Sequence, residues 1–152
     1  MRRLFLLGRA IFGGYFLYNG INHFLHQQMM SQYAASKGTA APDAAVTTSG
    51  AMLIAGGASV LAGVKPRQGL AMLIAFLIPV SLQMHRFWEE QDPQKQMAEM
   101  VNFTKNMALV GAALMMMQLE HPWPASVDAM RADDEEEMFI RLGNRELRSL
   151  PA

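Results

Sequence analysis

The chain has 152 residues, of which 51% are hydrophobic and 17% charged, and its 13 basic and 13 acidic side chains cancel to a formal net charge of zero. That charged fraction lies well below the roughly 25% of soluble domains, and the charge balance argues against nucleic acid as a partner. The sequence contains no cysteine, which excludes disulfides, thiolate catalysis, iron–sulfur ligation and CxxC relays, so any redox role needs a cofactor or another subunit.

Four apolar segments, residues 4–24, 46–64, 69–85 and about 100–119, fall in the range of about 17 to 25 residues that a membrane-spanning helix needs. Arg2 and Arg3 give the first segment the look of a signal peptide. However, Arg9, Asn19, Asn22 and His23 interrupt the run and no cleavage site follows promptly, so a retained helix is expected. The segment ends in Asn19, Asn22, His23 and His26, whose i, i+3, i+4 spacing puts polar groups on one helix face. Residues 27–45 are too polar to cross. Met29, Met30 and Tyr33 have the spacing of a short helix lying on the surface, with an irregular loop around Gly38 and Pro42 as the alternative.

The second span is rich in glycine. Gly50 and Gly57, with Gly13, Gly14, Gly20 and Gly111 elsewhere, are read as permitting close helix packing. In the third span Pro79 should bend the helix and free a carbonyl for a cavity. This span leads into His85, Arg86, Glu89 and Glu90. The fourth carries Asn102, Lys105 and Asn106 near its start, and His121-Pro122-Trp123-Pro124 closes it, with Trp123 suited to the inner interface. Beyond lies RADDEEEMFIRLGNREL, read either as a solvated, partly disordered tail or as a docking segment from Met138 to Leu147 for another membrane or cytoplasmic subunit. The chain thus divides into a transmembrane domain, 1–120, and a tail, 121–152.

The basic residues set an orientation. Arg2, Arg3, Lys65, Arg67 and the tail arginines 131, 141, 145 and 148 fall on one side of four spans, which the positive-inside rule makes cytoplasmic. Both termini are then cytoplasmic and the three polar stripes share the outer face, in a prokaryotic inner (plasma) membrane. The expected fold class is all-α: an integral membrane four-helix bundle with a short interfacial helix in the first outer loop and a cytoplasmic C-terminal tail.

Three fragments, GRAIFGGYFLYNGINHF, HRFWEEQDP and MVNFTKNMALVGAALMM, resemble in order the DoxX family of small four-helix membrane proteins. The matching elements are Arg9, Gly13, Gly20 and His23, then His85-Arg86-Phe87-Trp88, then Phe103-Thr104-Lys105-Asn106. The resemblance spans residues 1–118. It implies a four-helix bundle and an association with membrane oxidoreductases, since some relatives are subunits of a terminal quinol oxidase or of thiosulfate:quinone oxidoreductase. The missing cysteine weakens any transfer of thiol or sulfur chemistry.

Ionisable groups at membrane depth are costly and normally face a protein interior or water. Lys105 therefore needs a partner, with Glu89, Glu90 or Glu99 in reach, and its role is either an ion pair or snorkelling contact, or a ligand or proton site. A quinone ring needs two hydrogen-bond donors reached from the lipid. The expected ligand or quinone site comprises His23, His85, Lys105, Asn106, Asn22 and Trp88, with Phe24, Phe87 and Phe103 completing an apolar rim. A metal reading through His23, His26, His85 and Glu89 has no recognised signature, His23 with His85 is the one pair placed for haem, and the methionine run 115–117 points to different helix sides. No metal site is expected, no cofactor is assigned, and quinone is the candidate. The expected function is an accessory or quinone-interacting subunit of a membrane oxidoreductase assembly, with no catalytic residue assigned. The alternative is a non-enzymatic scaffold or lipid- or solute-binding protein.

Overall fold

The computed structural model describes residues 2–148, with side chains as far as residue 142. It is all-helical over those residues: α1 Arg2–Leu25, α2 Gln27–Ser36, α3 Pro42–Ala62, α4 Pro66–Met84, α5 Pro93–Met117 and α6 Val127–Arg148. Helices α1, α3, α4 and α5 are long and apolar enough to cross a membrane. The short helix α2 occupies the segment that Met29, Met30 and Tyr33 marked out. Each of α3, α4 and α5 opens on a proline, whose missing N–H is unbonded at a helix start in any case. In α5 Asp92 completes the start by accepting from the backbone N–H of Gln94 (2.8 Å) and Lys95 (3.4 Å). This cap begins the helix at Pro93, about two turns before the expected residue 100. At 25 residues α5 is about 37 Å long against a hydrocarbon core of about 30 Å, so its polar first turns project beyond the apolar layer.

Neighbouring helices pack in the order α1, α3, α4, α5, with α2 laid across α3 at one end. Glycine sets the spacing. A Cβ on Gly57 would stand 2.6 Å from the Leu17 nitrogen and 2.8 Å from the Gly13 carbonyl, and one on Gly20 would stand 2.8 Å from the Ile54 nitrogen. The α1 and α3 backbones are therefore in direct contact, as small residues allow in membranes. Gly14 and Gly111 behave otherwise, because nothing lies within 4 Å of a Cβ at either position; they carry no packing role. Phe16, Leu53, Val60, Leu70, Leu73 and Leu77 fill the interior, while Leu4, Ile11, Leu25 and Met115 are strongly exposed. A solvent of lipid tails makes such an exterior ordinary. Pro79 and Ala75, the residue whose carbonyl it frees, line a groove between α3 and α4 rather than the bundle's polar cavity.

The end carrying Arg2 and Lys65 is closed by the chain itself. Trp123 is 1% exposed, buried against Phe5 (5.5 Å, edge-on) and stacked on His121 (5.7 Å), so it plugs the bundle rather than facing an interface. Arg9 donates to the carbonyls of Pro124 (3.2 Å) and Ala125 (2.8 Å). The Lys65 N–H donates to Asp128 (2.7 Å), and Ser126 caps α6 through the Ala129 N–H (3.0 Å). Gly63 sits at φ 68° with Ser126 against it, where any Cβ would collide. Burial beside Arg67 holds the His121 imidazole below its usual range, which fits a neutral ring stacked on the indole. Residues 121–128 thus belong to the base of the bundle.

From residue 129 the tail runs on as α6, so its acidic block is helical rather than irregular. Met138, Phe139, Ile140 and Leu142 are all more than half exposed. The side chains of the remainder of the proposed docking segment, to Leu147, lie outside the described residues.

Candidate functional site

At the end where α1 and α4 finish and α5 begins, a cavity of about 270 Å³ opens among α1 to α5. Its walls are largely apolar, including Phe16, Leu53, Phe76 and Leu77, and its polar groups come from Asn19, His23, His85, Lys105 and Asn106. Three stripes far apart in sequence thus meet at one depth. His23, His85, Lys105 and Asn106 share the cavity; Asn22 and Trp88, expected there too, do not line it. On α1 the two cavity positions, Asn19 and His23, are one turn apart, whereas Asn22 projects to a neighbouring face. Trp88 packs instead with Phe87 (5.1 Å) and Phe103 (5.8 Å) in an aromatic cluster of their own. His26 is exposed and also lies outside the lining.

His23 is seated by glycine and oriented by backbone. A Cβ on Gly50 would come within 2.9 Å of the His23 Cβ, so α3 leaves this side chain its space. The His23 Nδ1 lies 2.8 Å from the Asn19 carbonyl oxygen. A carbonyl only accepts, so Nδ1 carries a proton and a neutral ring presents Nε2 as an acceptor. Nδ1 is thereby committed to the backbone, and Nε2 is the ring atom left for the cavity.

His85 is oriented by a residue that the sequence pattern did not place in the site. Its Nδ1 donates to Glu99 Oε2 at 2.7 Å. The other oxygen, Oε1, accepts from Lys37 Nζ at 2.7 Å and from the Tyr33 hydroxyl at 3.4 Å. The Lys37 carbonyl in turn accepts from Gln83 (2.9 Å) and Arg86 (3.1 Å). One carboxylate therefore ties the α2–α3 connection to the end of α4 and the start of α5. The bond to Glu99 holds the Lys37 ammonium above its ordinary range against the opposing effect of burial. Burial, with the Glu99 charge next in weight, pushes the Tyr33 phenol up.

The expected ion pair of Lys105 with Glu89 or Glu90 does not form. Glu89 meets Arg86 three residues back (2.9 Å), and Lys105 Nζ donates to Asn102 (3.0 Å) one turn earlier on α5. Glu99, the third candidate, is already occupied. Lys105 is exposed while Asn106 is 7% exposed, so the ammonium stands at the cavity's mouth and the amide inside it. Among the described residues no group of three or more His, Asp or Glu side chains is placed to hold a metal ion. The arrangement offers the Nε2 atoms of His23 and His85, the Asn19 side-chain oxygen, an amide that both donates and accepts (Asn106) and a cationic donor (Lys105), set in apolar walls. Such a set suits a flat amphiphile with oxygen on opposite edges.

A family model described as DoxX matches residues 4–86. The match covers more than half the chain, from α1 to the residue after His85, and stops before α5, short of the residues 1–118 over which the fragments resemble that family. No curated protein and no solved structure matches significantly.

Proposed function

This chain belongs to the DoxX family, and we propose that its cavity receives a quinone or quinol head group, making it an accessory or quinone-interacting subunit of a membrane oxidoreductase assembly. The observation that carries this reading is the meeting of His23, Lys105 and Asn106 in one apolar-walled space. A neutral His23 accepts from a ring hydroxyl, and Lys105 or Asn106 donates to the oxygen on the opposite edge. The Glu99 network also supports the rival reading, a non-enzymatic scaffold or lipid- or solute-binding protein, because it fixes the loops whatever the cavity holds.

Titration of short-chain quinone and quinol into the protein in nanodiscs tests the choice. Lys105→Met should leave the melting temperature near wild type, since the side chain is exposed and, among the described residues, bonded only to its neighbour Asn102. Affinity should fall about fivefold to tenfold, the worth of one charge-assisted hydrogen bond. Saturable binding absent from the wild type would return the cavity to the scaffold reading.

The same reading puts both termini in the cytoplasm and the cavity at the outer face. Because the chain has no native thiol, single cysteines report sidedness without background. Gln94→Cys should label from outside and Arg131→Cys only after permeabilisation. The reverse pattern would invert the topology.

For the tail, the proposal is a protein partner that engages Met138–Leu147. Truncation after residue 130 keeps Ser126 and Asp128 on the bundle base, so the melting temperature should hold while a co-purifying partner is lost. Truncation after Pro124 should lower stability as well. Partner recovery unchanged by both truncations would make the segment a solvated extension.

A further inference from the structure

Three of the four seams around the bundle are closed by neighbouring helices lying close together: α1 on α3, α3 on α4 and α4 on α5. The fourth is not. Helices α1 and α5 make almost no close backbone approach, and between them lies a second space of about 370 Å³ lined by Gly8, Ile11, Phe12, Tyr15, Leu109 and Lys105. Apart from the Tyr15 hydroxyl and the Lys105 amine its lining is apolar. Tyr15 and Lys105 belong to this lining and to that of the polar cavity alike, so the two spaces adjoin at these two side chains. From Tyr15 to Gly8 the groove follows α1 for two turns, about 10 Å, away from the histidines and towards the middle of the apolar layer. Nothing lies within 4 Å of a Cβ on Gly8, so the groove's far end is vacant space rather than packed side chains.

We propose that the α1/α5 seam is the lateral entrance of the site and the seat of its ligand's apolar chain, so that the protein selects a long-chain, lipid-borne amphiphile over a water-soluble head group. This rests on reading the cavity as a head-group site. A ligand arriving from the bilayer meets Ile11, Phe12 and Leu109 first and Lys105 at the junction, where the ammonium marks the step from apolar groove to polar cavity. The chain then remains in the groove, desolvated on both sides, while the head group turns towards His23 and Asn106. Gly8 matters because any larger side chain there would occupy the path.

The test compares one quinone head group with and without a decyl chain, titrated into wild type and Gly8→Leu in nanodiscs of fixed lipid composition. Gly8 is exposed and, among the described residues, nothing stands within 4 Å of a Cβ there, so the variant should fold and melt as wild type does. Binding of the decyl compound should weaken about tenfold or more, with the chainless compound within about twofold of wild type. Equal losses for both compounds, or none for either, would overturn the groove assignment while leaving the head-group site standing. If neither compound binds wild type, the head-group reading falls. The groove is then judged with a diazirine-bearing fatty acid alone: photolabel on the α1 and α5 peptides that Gly8→Leu abolishes upholds it, and label elsewhere or unchanged refutes it.

Discussion

Glu99→Ala is expected to destabilise the bundle by about 2–3 kcal/mol, somewhat less than the about 3–5 kcal/mol seen when one member of a fully buried pair is removed. The discount reflects partial exposure, 24% for the Lys37 side chain and 14% for Glu99. The loss has three sources: Lys37 and His85 each lose a 2.7 Å partner, and the Tyr33 hydroxyl loses its acceptor. Glu99→Gln keeps an acceptor but not the charge, so its cost should be about 1 kcal/mol. A double-mutant cycle with Lys37→Met should show coupling beyond the about 0.5 kcal/mol expected of independent sites. The pH dependence has a definite sign. Lys37 is held above its ordinary value of 10.5, so its contribution is complete below that value and disappears as pH rises through the raised one. The part of the gap between wild type and Glu99→Gln that Lys37 supplies should therefore close in strong alkali. Thermal unfolding in detergent, followed by helical circular dichroism, measures both. Strictly additive single losses would show that the three bonds do not act as a unit.

Glu99 also shows where the sequence was legible and where it was not. The four spans were readable because apolar length is a strong signal, and α2 because Met29, Met30 and Tyr33 repeat at helical spacing. The shared depth of His23, His85 and Lys105 followed from counting spans. What failed was the partner of Lys105. With the fourth span starting at about residue 100, Glu99, about one and a half turns before Lys105, reads as a candidate partner for that lysine rather than for Lys37 and His85. Asp92-Pro93 was the available clue, since a capping aspartate before a proline opens a helix and sets Glu99 in its second turn. Even so, periodicity alone does not reveal that Lys37, 62 residues away, returns to meet it. Trp123 was misplaced for a related reason: an aromatic residue after a span reads as an interfacial anchor, and only the fold-back onto Phe5 and Arg9 buries it. The glycines divide in the same way. Composition marks all of them as permissive, but contact with a second backbone separates Gly13, Gly20 and Gly57 from Gly14 and Gly111.

That division leads to the other large effect. Gly57→Ala adds one methyl group at a point 2.6 Å from the Leu17 nitrogen and 2.8 Å from the Gly13 carbonyl. Both obstacles are backbone, so no side chain can turn aside and the α1 and α3 axes must separate. Overpacking of this kind costs about 1–3 kcal/mol, and the rigidity of the obstacle puts Gly57→Ala at the upper end or beyond. Gly14→Ala supplies the control on the neighbouring helix. Its methyl meets nothing within 4 Å, and its effect should lie within about 0.5 kcal/mol of zero. Unfolding in mixed SDS micelles separates helices that stay largely helical, so the higher helix propensity of alanine largely cancels and the helix contact is what remains. Function should move with stability, because α1 carries His23 into the cavity and α3 sets where it stands. Pushing these helices apart shifts His23 away from Asn106, and ligand affinity should drop in whatever fraction of Gly57→Ala stays folded. If Gly57→Ala melts with the wild type, or Gly14→Ala is the more damaging of the two, the glycine seam does not set the geometry of the bundle, and the position assigned to His23 loses its support.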